Sequence, residues 1–505
     1  MKNILVIFAA IILLGSSCTK DFLSVDETNP NQASSVPANL VLPAALKVTG
    51  DIMNTPGNFD FIYLWYGLWS INSTYSQPND LTQYNIRNSS YAGDWDAFYI
   101  NAKNYDYIEK QTAGDPLQVK FYGIAKIMKA YIFQNLVDIY GDVPYSEAFT
   151  LGVLRPKYDA QQTVYEDLIT QIDAGVAAIK SATADAADPG ANDIIYGGDM
   201  SKWVKFANTL KLRILMHQAA MTGRDSYITS GLANTAADGF IGMGEGAMVN
   251  PGFIQSAGKM NPFWARFINA DGTYAADGIQ YYAPGNDVCN FYTSINDPRG
   301  TKFFALSSTG KLAGNYFGTT TLQSANDIGK MGPGLLNAYN QSAPILTDFE
   351  SLFLQAEAAF RGFIPGDPKT LYNNAILASM SYMGVDDATA QSTVGTKWVG
   401  NVNADYDADS AASSKLKLII TMKWASLNGI APVEIWTDFR RTGYPDIITW
   451  SQDKNRINNT PPVRLFYPQR EYEVNGDNVK AIESALPGGK VNLFTTKIFW
   501  QPTSK

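Results

Sequence analysis

Residues 119–148 read VKFYGIAKIMKAYIFQNLVDIYGDVPYSEA, and this stretch decides the fold class. From Val119 to Tyr140 it is apolar almost all round a helical wheel, with Lys120, Lys126, Lys129 and Asp138 as its few charged positions. Such a helix must be covered on several sides, so it predicts neighbours. Tyr140-Gly141-Asp142-Val143-Pro144 then supplies turn residues that end it. Working outward, Val164 to Ile179 carries Tyr165, Leu168, Ile169, Ile172, Val176 and Ile179 at the spacing of one helical face. Trp203 to His217 repeats the pattern, with Phe206, Ala207, Leu210 and Ile214 on the same stripe as His217. The first half is therefore expected to be helical, with His217 as a packed core residue.

Further on, residues 223–344 are rich in Gly, Asn, Asp, Thr and Tyr, and no stretch of ten keeps a helical stripe. This region is expected to be a long irregular insert with short strands. Helices resume with Phe349, Leu352, Phe353, Ala356 and Phe360, where Glu357 and Arg361 form a favourable i,i+4 pair. Leu371 to Tyr382 and Leu416 to Leu427 follow. The segment from Pro432 ends in Arg440-Arg441-Thr442-Gly443-Tyr444-Pro445, with cations in the last turn, Gly at the left-handed position and Pro beyond. The predicted class is mainly α: paired helices with short loops, interrupted by one insert.

In the other direction the chain opens with Lys2, an apolar run from Ile4 to Leu14, then Gly15-Ser16-Ser17-Cys18. A positive start, a short apolar run and small residues before a cut site make a secretory signal peptide, residues 1–17. The run is too short for a membrane span, which needs about 20 apolar residues. Cys18 after small residues resembles a bacterial lipoprotein box, with Leu14 four residues before it rather than the usual three. The expectation is a lipidated Cys18, a proline-bearing tether over residues 18–47 and a single domain over residues 48–505.

Composition narrows the chemistry. The net charge of −8 and pI near 4.9 argue against a nucleic-acid partner, which needs clustered Lys and Arg. With Cys18 committed to lipid, Cys289 has no disulfide partner, and the chain holds one histidine. That removes most zinc sites and most imidazole-assisted nucleophiles. The run Asp405-Tyr406-Asp407-Ala408-Asp409 fails as a helix-loop-helix calcium site, because Ser410 and Leu416 stand where Gly and Glu are required. No catalytic residue, metal site or cofactor is expected, although a structural calcium ion is not excluded. A glycosidase needs only two carboxylates, which spacing cannot identify.

The binding signal is aromatic. Fourteen aromatics lie between Phe59 and Tyr107, where the chain-wide 12% would give about six. Most should be core, but exposed Trp and Tyr offer flat faces on which sugar rings and peptide side chains stack. Trp69, Tyr75 and Trp95, each beside polar turn residues, are the candidates from this stretch. Tyr281, Tyr282, Phe291 and Tyr292 are the candidates from the insert.

Several segments read together: Phe22-Leu23 with Asn29-Pro30-Asn31; residues 138–148; Pro156-Lys157-Tyr158-Asp159; Gly198-Asp199 with Trp203, Phe206, Ala207, Asn208, Leu210, Leu212 and Arg213; and Ala356-Glu357-Ala358. Glu434, Trp436, residues 440–445 and Tyr467-Pro468 close the series. In this order they resemble the SusD/RagB nutrient-binding outer-membrane lipoproteins of Bacteroidetes. The resemblance implies a tetratricopeptide-like helix-pair scaffold anchored to the outer membrane and facing the exterior. It also implies a non-enzymatic role: capture of a glycan or peptide and its delivery to a partner TonB-dependent transporter of the SusC type. A surface glycoside hydrolase or peptidase, and a structural or adhesive lipoprotein, are the alternatives.

Overall fold

A computed structural model describes residues 35–75 and 79–502. The signal peptide, Cys18 and residues 19–34 of the tether lie outside the described residues. The Val119–Tyr140 helix is the axis of the body, buried almost throughout from Phe121 onward. It packs between the Ala92–Thr112 and Gln161–Lys180 helices, which supply the neighbours its all-round apolarity requires. Its crossing with Gln161–Lys180 is set by two glycines. A Cβ on Gly123 would stand 2.7 Å from the Gly175 carbonyl oxygen, and one on Gly175 would stand 2.9 Å from that of Gly123, so the two backbones touch.

The helix pairing continues along the chain. Gln161–Lys180 packs on Met200–His217, whose first turn is capped by Asp199 accepting from the Ser201 and Lys202 amides. Asp348–Phe360, capped by Thr347, pairs with Pro368–Tyr382, capped by Asp367. Ala412–Ser426 and Pro432–Thr442 complete the scaffold, and the latter ends on Gly443 at φ +77°, as its sequence predicts. The tether boundary is different from the expectation. Residues 38–47 are not extended but belong to the Ala38–Asn54 helix, which contains Pro43 and buries Leu42, Ala45 and Leu46. Interior proline costs about 3 kcal/mol, and each buried leucine returns roughly 1.5–3 kcal/mol, so the apolar spacing overrides the breaker.

Buried charge ties the later helices together. Arg441 makes a two-pronged contact with Glu357 (2.7 and 2.5 Å) and also meets Asp438; Lys423 reaches Asp438 at 2.9 Å and also pairs with Glu434. Arg213 pairs with Glu350 at 2.8 Å. His217 is packed in the core, as expected, and bridges Glu434 (2.9 Å) and the Tyr165 hydroxyl (2.9 Å). Burial pushes the His217 pKa down, but the Glu434 and Asp138 carboxylates outweigh it and leave it raised. Burial likewise raises Glu357, yet the Arg441 and Arg361 guanidinium groups bring it to about 2.

The insert is irregular but anchored. Its short strands form two-stranded antiparallel pairs: Ala247–Val249 with Ala343–Leu346, Phe304–Ala305 with Lys330–Met331, and Tyr282–Pro284 with Trp69–Ile71 of the first half. The last pair is tight. At Gly285 a Cβ would lie 2.2 Å from the Gly67 carbonyl oxygen, so only glycine permits this approach.

Candidate ligand-binding face

Five of the seven aromatic candidates are inside the protein: Trp69, Trp95, Tyr282, Phe291 and Tyr292 are at most 6% exposed. The Trp69 indole donates to Asn428 Oδ1 at 3.0 Å, and its ring lies 4.4 Å from Tyr63 and 5.0 Å from Tyr282. Trp95 packs against Tyr99 and Tyr140. Tyr292 stacks on Phe303 at 5.4 Å and donates its hydroxyl to the Ala425 carbonyl. The expectation that polar neighbours mark Trp69 and Trp95 as exposed is therefore overturned. Ser70 is itself fully buried, because the insert strand covers Trp69–Ile71. Gly93 and Asp94 are not a surface turn but the first turn of the Ala92–Thr112 helix, with Asp94 buried.

Tyr75 and Tyr281 remain accessible, and the structure brings them together across more than two hundred residues. Tyr75 is 37% exposed, Tyr281 is half-buried, and their rings meet edge-on at 5.0 Å and 87°. Two backbone acceptors hold the junction: the Asn72 amide donates to the Tyr281 carbonyl at 2.8 Å, and the Thr74 hydroxyl donates to the Gln280 carbonyl. Beneath the pair, Tyr281 meets Tyr282 at 4.8 Å. The Tyr282 hydroxyl donates to Asp60 Oδ2 at 2.8 Å, and that of Tyr91 to Oδ1 at 3.1 Å. Burial pushes the Asp60 pKa up to about 6 although both hydroxyls work against the rise.

Cations flank the aromatics. The Arg266 guanidinium lies over the Tyr282 ring at 5.6 Å, and Lys330 lies 5.2 Å from the ring of Tyr274, which is 62% exposed. Sequence reasoning did not single out Arg266, which lies against the Tyr282 ring beneath the pair. The face thus offers aromatic edges held rigidly over a buried hydroxyl–carboxyl cluster, a surface suited to stacking against a ring.

Among the described residues, no group of three or more His, Cys, Asp or Glu side chains is placed to hold a metal ion. The acidic run at 405–409 turns inward on its own backbone: Asp405 accepts from the Gly400 and Asp407 amides, and Asp409 from that of Ala411. Cys289 is buried, which pushes its thiol pKa up. No helix among the described residues is long and apolar enough to cross a membrane.

Residues 30–468 match the model of the SusD-like family described as starch-binding and associating with the outer membrane. The chain belongs to the SusD-like family. Solved structures agree on the fold of this SusD-like protein. A SusD-like protein from Bacteroides thetaiotaomicron is 23% identical, with 92% of this chain and 99% of that chain covered at a TM-score of 0.75. A chitin-binding SusD homologue from Flavobacterium johnsoniae is 22% identical over 92% and 99%, at a TM-score of 0.76. A SusD homologue from Bacteroides uniformis is 20% identical over the same shares, at 0.73. A comparison with curated protein sequences finds no match.

Proposed function

We propose that this SusD-like protein is a cell-surface lipoprotein, anchored through Cys18, that captures a glycan without cleaving it. It then passes the glycan to a SusC-like TonB-dependent transporter in the outer membrane. The observation that carries the reading is the accessible Tyr75–Tyr281 pair, locked at the junction of the first half and the insert. Membership of a family described as starch-binding supports a carbohydrate rather than a peptide. Stacking supplies affinity with little ordering cost because both rings are already fixed.

A screen of oligosaccharides and peptides against the purified protein tests this. Saturable glycan binding with no product release is expected, and Tyr75→Ala/Tyr281→Ala should weaken it at least about tenfold, the equivalent of ~1.4 kcal/mol. Peptide-only binding, or release of shortened glycan, would sink the reading. Purification from membranes in mild detergent should also recover a barrel protein with it; repeated recovery of the lipoprotein alone would refute the transporter partnership.

A further inference from the structure

A second recess lies away from the Tyr75–Tyr281 pair and shares no wall residue with it. It is a cleft of about 470 Å³ between the Asn286–Ser294 helix of the insert and the Ala412–Ser426 helix of the scaffold. That volume is within the range of small-ligand sites, about 300–1,000 Å³. Half-buried Tyr316 gives it an aromatic face, with buried Phe291 behind the wall, and Leu418 and Ile447 give it an aliphatic one.

Its polar groups define the occupant. The charged side chains of the wall are already engaged by the protein. Asp287 accepts from the Thr449 amide and hydroxyl, both at 2.8 Å; Asp409 accepts from the Ser414 hydroxyl at 2.7 Å; Lys417 pairs with Asp446 at 2.8 Å. What they leave to a ligand is neutral, chiefly the exposed Asn290 and Asn403 amides. With two wall carboxylates, and Asp446 beside Lys417, against that one ammonium, the local field repels anions. Thr421 also lines the cleft. It is 6% exposed, and its hydroxyl has no hydrogen-bond partner among the described residues. A buried hydroxyl left unmatched is unfavourable, whereas a rotation about χ1 can present it to an occupant that supplies a partner.

We infer that this cleft is a second binding site, for a neutral oligosaccharide, with Tyr316 as its stacking face and Thr421 as a hydroxyl that can turn to the ligand. The inference rests on the glycan-capture reading and extends it to a second point of attachment. Two attachments on one chain raise overall affinity for a long glycan without new contacts at either.

The test is calorimetric titration of the purified lipoprotein with maltohexaose and chitohexaose, and with oligogalacturonate as the acidic counterpart. Ser294→Trp, at an exposed position on the cleft wall, fills the recess without touching the core. In the Tyr75→Ala/Tyr281→Ala background a residual neutral-glycan affinity should persist, and adding Ser294→Trp should abolish it. Thr421→Val should weaken that residual binding about fivefold while raising the melting temperature, a pair of opposite changes that a packing role alone would not give. Neutral binding unchanged by both cleft variants would overturn the cleft and leave glycan capture standing. No binding of any neutral oligosaccharide to the wild type would overturn both. Oligogalacturonate binding that is abolished by Ser294→Trp would overturn the assigned ligand class.

Discussion

Asp94 is a buried carboxyl whose titration bears on stability. It lies in the first turn of the Ala92–Thr112 helix, and burial, with the Asp60 charge nearby, pushes its pKa up to about 8. Below about pH 4 both folded and unfolded chains keep this proton, and the group is silent. As pH rises from about 4 to 8 the unfolded chain releases it while the folded chain holds it, so stability falls, by an amount on the order of 5 kcal/mol. Asp94→Asn should therefore match the wild type near pH 4 and melt progressively higher than it toward pH 8. Parallel melting curves across that range would show that the carboxyl is ionised in the fold. His217 acts in the same direction: its raised pKa contributes stability below about pH 6.5 that is lost as pH climbs through the folded value. Glu357, held at about 2, acts oppositely and withdraws its contribution only in strong acid.

Among the elements, the helices were legible, whereas the burial of five of the seven candidate aromatics was not. Val119–Tyr140, Gln161–Lys180 and Met200–His217 announce themselves because local apolar spacing is a property of each segment alone. Exposure of Trp69 is not such a property: it depends on Tyr282–Pro284, which arrives more than two hundred residues later to cover it. The same holds for Arg440 and Arg441. They read as dipole-compensating cations, but Arg441 is a buried partner of Glu357 on another helix, and Arg440 stacks at 4.0 Å on Trp436. Arg441→Met should cost about 3–5 kcal/mol in urea unfolding, because it leaves buried Glu357 Oε2 unpaired and only Arg361 to balance the carboxylate. Adding Glu357→Gln should recover part of that loss. At the Gly123–Gly175 crossing, Gly123→Ala puts a methyl 2.6 Å from the Ile179 side chain and 2.7 Å from backbone, and about 1–3 kcal/mol should be lost. An unchanged midpoint would mean that the crossing is slack.

For the whole molecule, family membership was readable because short motifs recur in order from end to end, whereas the meeting of Tyr75 with Tyr281, each readable as a candidate, was not, because it joins segments distant in sequence. The single-domain expectation and the anchor concern residues on both sides of the described boundary at residue 35, and only a cellular experiment joins them. Cys18→Ala should leave folding and glycan binding unaltered in the purified protein and abolish glycan uptake by cells. Normal uptake by that variant would reduce the cysteine to an address signal with no part in transport.

The Trp69–Ile71 strand has a consequence for how such a chain matures. Its pairing partner is Tyr282–Pro284, so during folding the early strand keeps its edge unsatisfied and its tryptophan uncovered until a segment more than two hundred residues later arrives. Long-range closure of this kind is slow and leaves a sticky intermediate. Until that closure, residues 69–71 are open to pairing with the wrong strand.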